Sequence, residues 1–198
     1  MTIFVCNGFG KGKTTSAIGT TLRALSNGEK VLFIQFLKDG NDLALKYLNK
    51  CADFKDRFIH IAQGLKGFDI SNKQVTIDFF NKVKEIIDKT DASLIVLDEL
   101  NVAQDYKLLG LTDSQLLDLL RTWAIEKDLY ITGRLNRYEL RHAMYNIADI
   151  ATNMRCEAHS FNKVCKDCGM EFTQHYIYCP ICGKKLTGGH RSVRGREY

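Results

Sequence analysis

Proline is almost absent from the sequence: Pro180 is the only one among 198 residues, and glycine, at 15, is not in excess. A collagen-like chain and a long disordered tract are therefore excluded. No apolar run exceeds four residues, as at 31–34 and 94–97, whereas a membrane-spanning helix takes about 20. The opening Met1-Thr2-Ile3-Phe4-Val5-Cys6 has no basic segment and too little apolar length for a signal peptide. These absences predict a cytoplasmic protein with no membrane partner. A charge of one sign is missing as well. The first 162 residues carry 21 Lys/Arg against 20 Asp/Glu, and the surplus lies beyond them, at seven against three. Nucleic acid is not the expected partner of so even a surface.

What is present suits one domain of ordinary size with a small appendage. Short β-rich runs at 2–6, 30–36, 58–62, 93–98 and 129–132, with 147–152 as a sixth, alternate with segments of helical period. Leu116, Leu119, Leu120 and Trp123 repeat at i, i+3, i+4, i+7, as do Leu140, Ala143, Met144 and Ile147. Val75, Phe79, Val83, Ile86 and Ile87 form a further stripe, and Asp113 is placed to cap the helix after it. Strands alternating with helices predict an α/β fold, a parallel sheet covered on both faces.

Three motifs carry chemistry. The first is Gly8-Phe9-Gly10-Lys11-Gly12-Lys13-Thr14-Thr15, set between the first strand and a helix. Glycines let successive N–H groups turn toward phosphate oxygens, and the helix N-terminus adds partial positive charge. Lys13 then reaches the phosphates and the Thr14 hydroxyl ligates Mg²⁺. Against the general G-x-x-x-x-G-K-[ST] pattern this loop is one residue short. The second motif is the apolar strand Leu94-Ile95-Val96-Leu97 ending in Asp98-Glu99. Lying beside the phosphate-loop strand, it would bring Asp98 or Glu99 to the Mg²⁺, directly or through water.

The third motif is Cys165-x₂-Cys168-x₁₀-Cys179-x₂-Cys182, with Gly169 and Gly183 just after the two pairs. Each pair forms a knuckle that aims two sulfurs at one tetrahedral ion, so the four predict a structural Zn²⁺ in a small ribbon. A redox pair is the competing reading, but such motifs come singly. The expected division is a P-loop nucleotide-binding domain over 1–161, the ribbon over 162–187 and a tail over 188–198. Cys6, Cys51 and Cys156 read as buried small hydrophobes, and His60 as a strand residue rather than a ligand.

With the phosphate loop in hand, the sequence resembles the P-loop class of ATP:corrinoid adenosyltransferases. That family uses the shortened loop found here from Gly8 to Thr15. Gln35-Phe36-x-Lys38, Leu97-Asp98-Glu99-Leu100-Asn101 and Thr132-Gly133-Arg134 also match. So do Ala148-Asp149, Asn153-Met154-Arg155, His159-x-Phe161 and the closing Gly195-x-Glu197-Tyr198. The resemblance covers about residues 1–161 and the last few. Three departures stand out. The family often has an extension before the first strand, and this chain begins on the strand. The usual G-x-G-F-T-W loop reads Gly64-Leu65-Lys66-Gly67-Phe68-Asp69-Ile70. The ribbon is inserted between His159-x-Phe161 and the tail.

The resemblance implies that a corrinoid reduced to Co(I) attacks the ribose 5′-carbon of ATP and that triphosphate leaves. Cobalt is the nucleophile, so no activated Ser or Cys is needed. Lys13, Thr14 and Glu99 are then the catalytic residues, with Phe9, Lys11, Thr15 and Arg23 further ATP contacts. Phe68 becomes an apolar wedge against the corrinoid, and Ile70 stands where the family has Trp. A flavin-dependent reductase and a homodimer are implied partners. A type II thymidine kinase shares the phosphate loop, Asp-Glu strand and Cys-rich lobe, but has another loop spacing and Ala-Gln after Asp-Glu, not Leu100-Asn101. A nucleotide-gated binding protein is the non-enzymatic alternative.

Overall fold

Apolar strands alternate their side chains between two faces. Both faces are largely buried in Ile3–Asn7, Val31–Gln35, Leu94–Asp98 and Asp128–Thr132, whereas the edge strand Phe58–Ala62 is mostly half-buried and the edge strand Ile150–Asn153 is exposed. A computed structural model of the chain describes residues 1–65 and 73–155, and toward the C-terminus 163–165, 167, 171–172, 178–179 and 182–188. The strands are β1 (Ile3–Asn7), β2 (Val31–Gln35), β3 (Phe58–Ala62), β4 (Leu94–Asp98), β5 (Asp128–Thr132) and β6 (Ile150–Asn153). They form one sheet in the order β3-β2-β4-β5-β1-β6, with every neighbouring pair parallel. The helices are α1 (Lys13–Ser26), α2 (Leu43–Lys50), α3 (Lys73–Lys89), α4 (Leu100–Asp105), α5 (Asp113–Trp123) and α6 (Tyr138–Ile147).

Strand parity decides which residues meet which helices. Leu32, Ile34, Ile95, Leu97 and Ile131 pack with Phe80 and Ile87 of α3, Leu116 and Leu120 of α5, and Met144 of α6. Val31, Phe33, Leu94, Val96 and Tyr130 face the other way, onto Ala17 and Leu25 of α1 and Leu45 and Leu48 of α2. One more step of two along each strand puts Gln35, Asp98, Thr132 and Cys6 on the α1 face, at the carboxyl ends of four adjacent strands. The register agrees: Gln35 pairs with Asp98, Leu97 with Ile131, and Cys6 with Thr132. Ligands of open parallel sheets gather at this end.

The structure departs from the sequence reading in three places. The Asp98 strand does not lie beside the phosphate-loop strand, because β5 stands between them. The buried face of α3 is Thr76, Phe80, Val83 and Ile87. Val83 and Ile87 of the expected stripe belong to it, Phe79 and Ile86 flank it half-buried, and Val75 is exposed. In its first turns α3 is thus shifted by one residue from the centre of that stripe. Its packing against β2 and β4 sets that phase, and a threonine in the row hides it from a count of apolar residues. Finally, Thr112 rather than Asp113 caps α5, forming a capping box with Gln115.

The contacts divide the chain into two units, Met1–Arg155 and Cys156–Tyr198. In the second, β7 (Lys163–Val164) lies between β8 (Glu171–Phe172) and β9 (Thr187–Gly188), antiparallel to both.

Phe80 is wholly buried and lies with its ring centroid 6.2 Å from that of Phe36. Phe80→Ala is expected to remove about 3–5 kcal/mol of stability, read from urea denaturation. A loss under about 1 kcal/mol would mean that the α3 face of the sheet is not the packed core described.

Candidate active site

The phosphate loop is held open by its own chain. Gly8 and Gly12 have φ of 113° and 106°, values that a residue without Cβ adopts at no steric cost. Behind the loop lies the end of β6: the Gly10 N–H donates to the Met154 carbonyl at 2.8 Å, and the Met154 N–H to the Asn7 carbonyl at 2.7 Å. A Cβ on Gly8 would stand 2.2 Å from the Met154 carbonyl oxygen, and one on Gly10 2.7 Å from that of Arg155. The glycines thus serve close approach by Asn153–Arg155 as much as approach by a phosphate. The Lys13 ammonium donates to the carbonyls of Gly8 and Gly10, both at 2.8 Å. Burial lowers the Lys13 pKa, and nearby Glu99 opposes that shift.

Next to the loop is a buried carboxylate with four donors. Asp98 is fully buried. Its Oδ1 accepts from the hydroxyls of Thr132 at 2.7 Å and Thr14 at 3.0 Å. Its Oδ2 accepts from Lys38 Nζ at 2.7 Å and Gln35 Nε2 at 3.0 Å. An ionised carboxyl has about four acceptor positions, so each is matched. Lys38 also donates to Thr14 Oγ1 at 2.9 Å and lies 3.9 Å from Glu99 Oε1. Although β5 intervenes, Asp98 meets Thr14 because α1 begins on the face to which Asp98 points.

Glu99 follows with φ 64° as the residue before α4, and its N–H donates to Thr132 Oγ1 at 3.0 Å. Such left-handed backbone costs a non-glycine residue about 1–3 kcal/mol and is kept where the surroundings enforce it. Burial raises the Glu99 pKa, the Asp98 charge adds to this, and Lys38, Lys13 and Arg134 oppose it.

The loop after β5 is fixed from several sides. Asn7 accepts from the Leu135 N–H at 2.8 Å, and Asn101 Nδ2 donates to the Gly133 carbonyl at 3.3 Å. Arg137 makes a two-pronged pair with Asp113 at 2.8 and 2.9 Å. That pair holds the Asp113 pKa low, so Asp113 clamps the loop instead of capping its helix. Arg134 is thereby carried close enough to Lys13 and Glu99 for its charge to act on both.

Of the residues marked in the sequence, the structure gathers Gly8, Gly10, Gly12, Lys13, Thr14, Asp98 and Glu99. Phe9, Lys11 and Thr15 are exposed at the loop's mouth. Arg23 does not join them: it stands in the last turn of α1, about 15 Å along the helix axis at 1.5 Å per residue. Phe68, Ile70, Cys156 and Cys168 lie outside the described residues. Cys6 is buried, whereas Cys51 is only half-buried. His60 is a strand residue as expected, but its Nε2 lies 2.9 Å from Gln35 Oε1 and so reaches the cluster through that amide. Lys38, Gln35 and Thr132 are the site residues that motif chemistry alone passes over. Each does stand in a stretch matching the family pattern.

In the C-terminal unit, the sulfurs of Cys165, Cys179 and Cys182 lie within 4.8 Å of one another. Those of Cys165 and Cys182 are 3.6 Å apart. Two thiolates on a tetrahedral zinc with bonds of about 2.3 Å stand about 3.8 Å apart, whereas a disulfide needs about 2.05 Å. The Gly183 N–H donates to the Cys179 carbonyl at 2.8 Å and closes the knuckle. The group can hold a metal.

The fold and the loop define a P-loop nucleotide-binding α/β protein. Among solved structures it is similar to the flagellar accessory protein FlaH of Methanocaldococcus jannaschii, at TM-score 0.56 and 12% identity, over 77% of this chain and 70% of that one. A KaiC-like protein from Pyrococcus horikoshii OT3 gives TM-score 0.52 at 16% identity, over 81% and 75%. These likenesses speak for the fold alone. The family model "ATP:corrinoid adenosyltransferase BtuR/CobO/CobP" matches residues 1–172, and the chain belongs to that family. A corrinoid adenosyltransferase of Pseudomonas aeruginosa is 29% identical over 86% of this chain and 83% of its own length. One from Escherichia coli K12 is 27% identical over 81% and 79%. Neither the kinase nor the nucleotide-gated switch finds support among these relatives.

Two glycine substitutions separate the site from its scaffold. Gly10→Ala drives a methyl into backbone and is expected to cut turnover about 10–100-fold by displacing the loop. Gly19→Ala, where an added Cβ meets nothing within 4 Å, should stabilise α1 by about 0.5–1 kcal/mol and leave turnover unchanged. Equal turnover in both variants would show that close approach at Gly10 has no part in the site.

Proposed function

We propose that this chain transfers the 5′-deoxyadenosyl group of ATP to the cobalt of a reduced corrinoid, with the Gly8–Thr15 loop and the Asp98–Glu99 strand end as its triphosphate site. The observation that carries this reading is the cluster around Asp98. Loop hydroxyl, strand carboxylate and lysine converge there, which supports a site that balances the charge of a leaving triphosphate. Cob(I) supplies the electron pair of the new Co–C bond, the bond from C5′ to the triphosphate oxygen breaks, and the charge collects on the triphosphate. The protein's part is to hold that group still and to set positive charge around it before reaction. Lys13 exchanges the carbonyls of Gly8 and Gly10 for phosphate oxygens, and the loop N–H groups donate to others. Lys11 and Thr15 are further contacts at the mouth.

Thr14, Asp98 and Glu99 would hold a Mg²⁺. Two oxygens on adjacent corners of its octahedron, with bonds of 2.0–2.1 Å, stand about 2.9 Å apart, and Thr14 Oγ1 and Asp98 Oδ1 are 3.0 Å apart. When bound, the ion neutralises phosphate charge. On family resemblance, Phe68 and Ile70 face the corrinoid, a flavin-dependent reductase delivers the electrons, and the enzyme is a cytoplasmic homodimer. No described helix is long and apolar enough to cross a membrane.

ATP with chemically reduced cob(I)alamin, followed by the spectral change on Co–C bond formation, tests the reading. Lys13→Ala should abolish turnover while the circular dichroism stays native. Residual turnover within a factor of about ten, a loss of only ~1.4 kcal/mol, would overturn the assignment of Lys13.

For residues 162–187 the reading is a ribbon around one structural Zn²⁺ on Cys165, Cys168, Cys179 and Cys182. Its described core is small: Leu186 with Cys165 and Cys179, too little to fold without metal. Elemental analysis should give one zinc per chain, and chelation should unfold the ribbon before the sheet. Purified protein without zinc, or with iron, would refute this.

A further inference from the structure

The Lys38 ammonium sits among oxygens of all three residues read as magnesium ligands. It donates to Asp98 Oδ2 at 2.7 Å and Thr14 Oγ1 at 2.9 Å, and stands 3.9 Å from Glu99 Oε1. We propose that Lys38 is a tethered cation that holds the magnesium position in the nucleotide-free enzyme and yields it to the metal, its ammonium then turning outward to the triphosphate.

Two physical arguments lead there. A wholly buried carboxylate is costly to leave without a cation, and Lys38 Nζ is the one cationic group that hydrogen-bonds Asp98 among the described residues. The ammonium and the metal also need the same oxygens. Both are cations, so one must leave as the other enters. Lys38 is suited to leaving: its side chain is 29% exposed while that of Asp98 is wholly buried, and an ammonium on a flexible four-carbon stem can swing where a guanidinium fork could not.

The turn that presents Lys38 is braced by hydrogen bonds. Leu37, fully buried, has φ 55°. Its N–H donates to Gln63 Oε1 at 2.8 Å, and Gln63 Nε2 in turn donates to Thr76 Oγ1 of α3 at 2.9 Å. The Gly64 N–H donates to the Lys38 carbonyl at 3.0 Å. Left-handed backbone at a buried leucine is strain that persists only where the surroundings impose it. Here it aims the next residue across the carboxyl end of β4. The exchange is thus one of side chain, on a braced backbone.

The inference rests on reading Thr14 and Asp98 as the metal side of the site, and its test is metal binding without nucleotide. Mn²⁺, standing in for Mg²⁺, is titrated into wild type, Lys38→Met and Lys38→Arg and followed by electron paramagnetic resonance. Removing the charge should tighten Mn²⁺ about tenfold or more, since a unit charge a few ångströms away repels the ion strongly. Arginine, which keeps the charge and yields the position less readily, should leave binding at least as weak as in wild type. Inorganic triphosphate with Mg²⁺ should bind Lys38→Met about tenfold more weakly than wild type. Should Lys38→Met not fold, Lys38→Gln keeps an N–H donor for Asp98, lacks the charge and must give the same result. Unchanged Mn²⁺ affinity in the neutral variant, or equal tightening in Lys38→Arg, overturns the exchange. Mg²⁺-dependent turnover by wild type beside such a result would leave the adenosyl-transfer reading intact and remove the exchange alone.

Discussion

The site is organised by one buried negative charge. Asp98, at the carboxyl end of an inner strand, is wholly shielded from solvent, a position worth several kcal/mol of penalty unless donors surround it. Its donors come from β2 (Gln35), β5 (Thr132), the first turn of α1 (Thr14) and the turn after β2 (Lys38). Satisfying it therefore fixes the register of three strands and the height of a helix at once. The same row of polar strand ends is what a phosphate at the helix N-terminus would meet.

The shortened phosphate loop follows from a second constraint. With one residue fewer, the loop's inner wall is the end of β6, which receives a hydrogen bond from Gly10 and gives one to Asn7. Side chains at Gly8 and Gly10 would collide with Asn153, Met154 or Arg155. The glycines of the loop and the Asn153-Met154-Arg155 stretch are thus two sides of one contact, though they lie far apart in the chain. Lys13 completes the arrangement by donating to the loop's own carbonyls, and burial lowers its pKa. On the proposed reading, an incoming phosphate would give that ammonium a stronger partner than the two carbonyls.

Much of this was legible in the sequence because it depends on local chemistry. Short apolar runs mark the strands of a parallel sheet, the Asp98-Glu99 pair marks one polar carboxyl end, and the Gly-Lys-Thr step marks the loop. What stayed hidden depends on topology. Nothing local says that β5 inserts between β1 and β4, so the bridging hydroxyl of Thr132 could not be assigned. Lys38 was visible only as part of a familial stretch, since its direction comes from a left-handed Leu37 braced by Gln63. The phase of α3 turns on Thr76, a polar residue in a buried row. Arg23 looked close to the loop in sequence, and helix rise carries it away.

His60 shows how far the central charge extends. Gln35 gives its amide N–H to Asp98, which leaves its carbonyl oxygen facing His60 Nε2. That nitrogen must therefore carry a proton. Burial lowers the His60 pKa, so the form that fits is the neutral Nε2–H tautomer. The proton on His60 sets the orientation of the Gln35 amide, and the amide directs its donor to the carboxylate. A flipped amide would set two buried oxygens, those of Gln35 and Asp98, against each other. The outer strand β3 thus has an electrostatic part in the site although none of its residues touches Asp98.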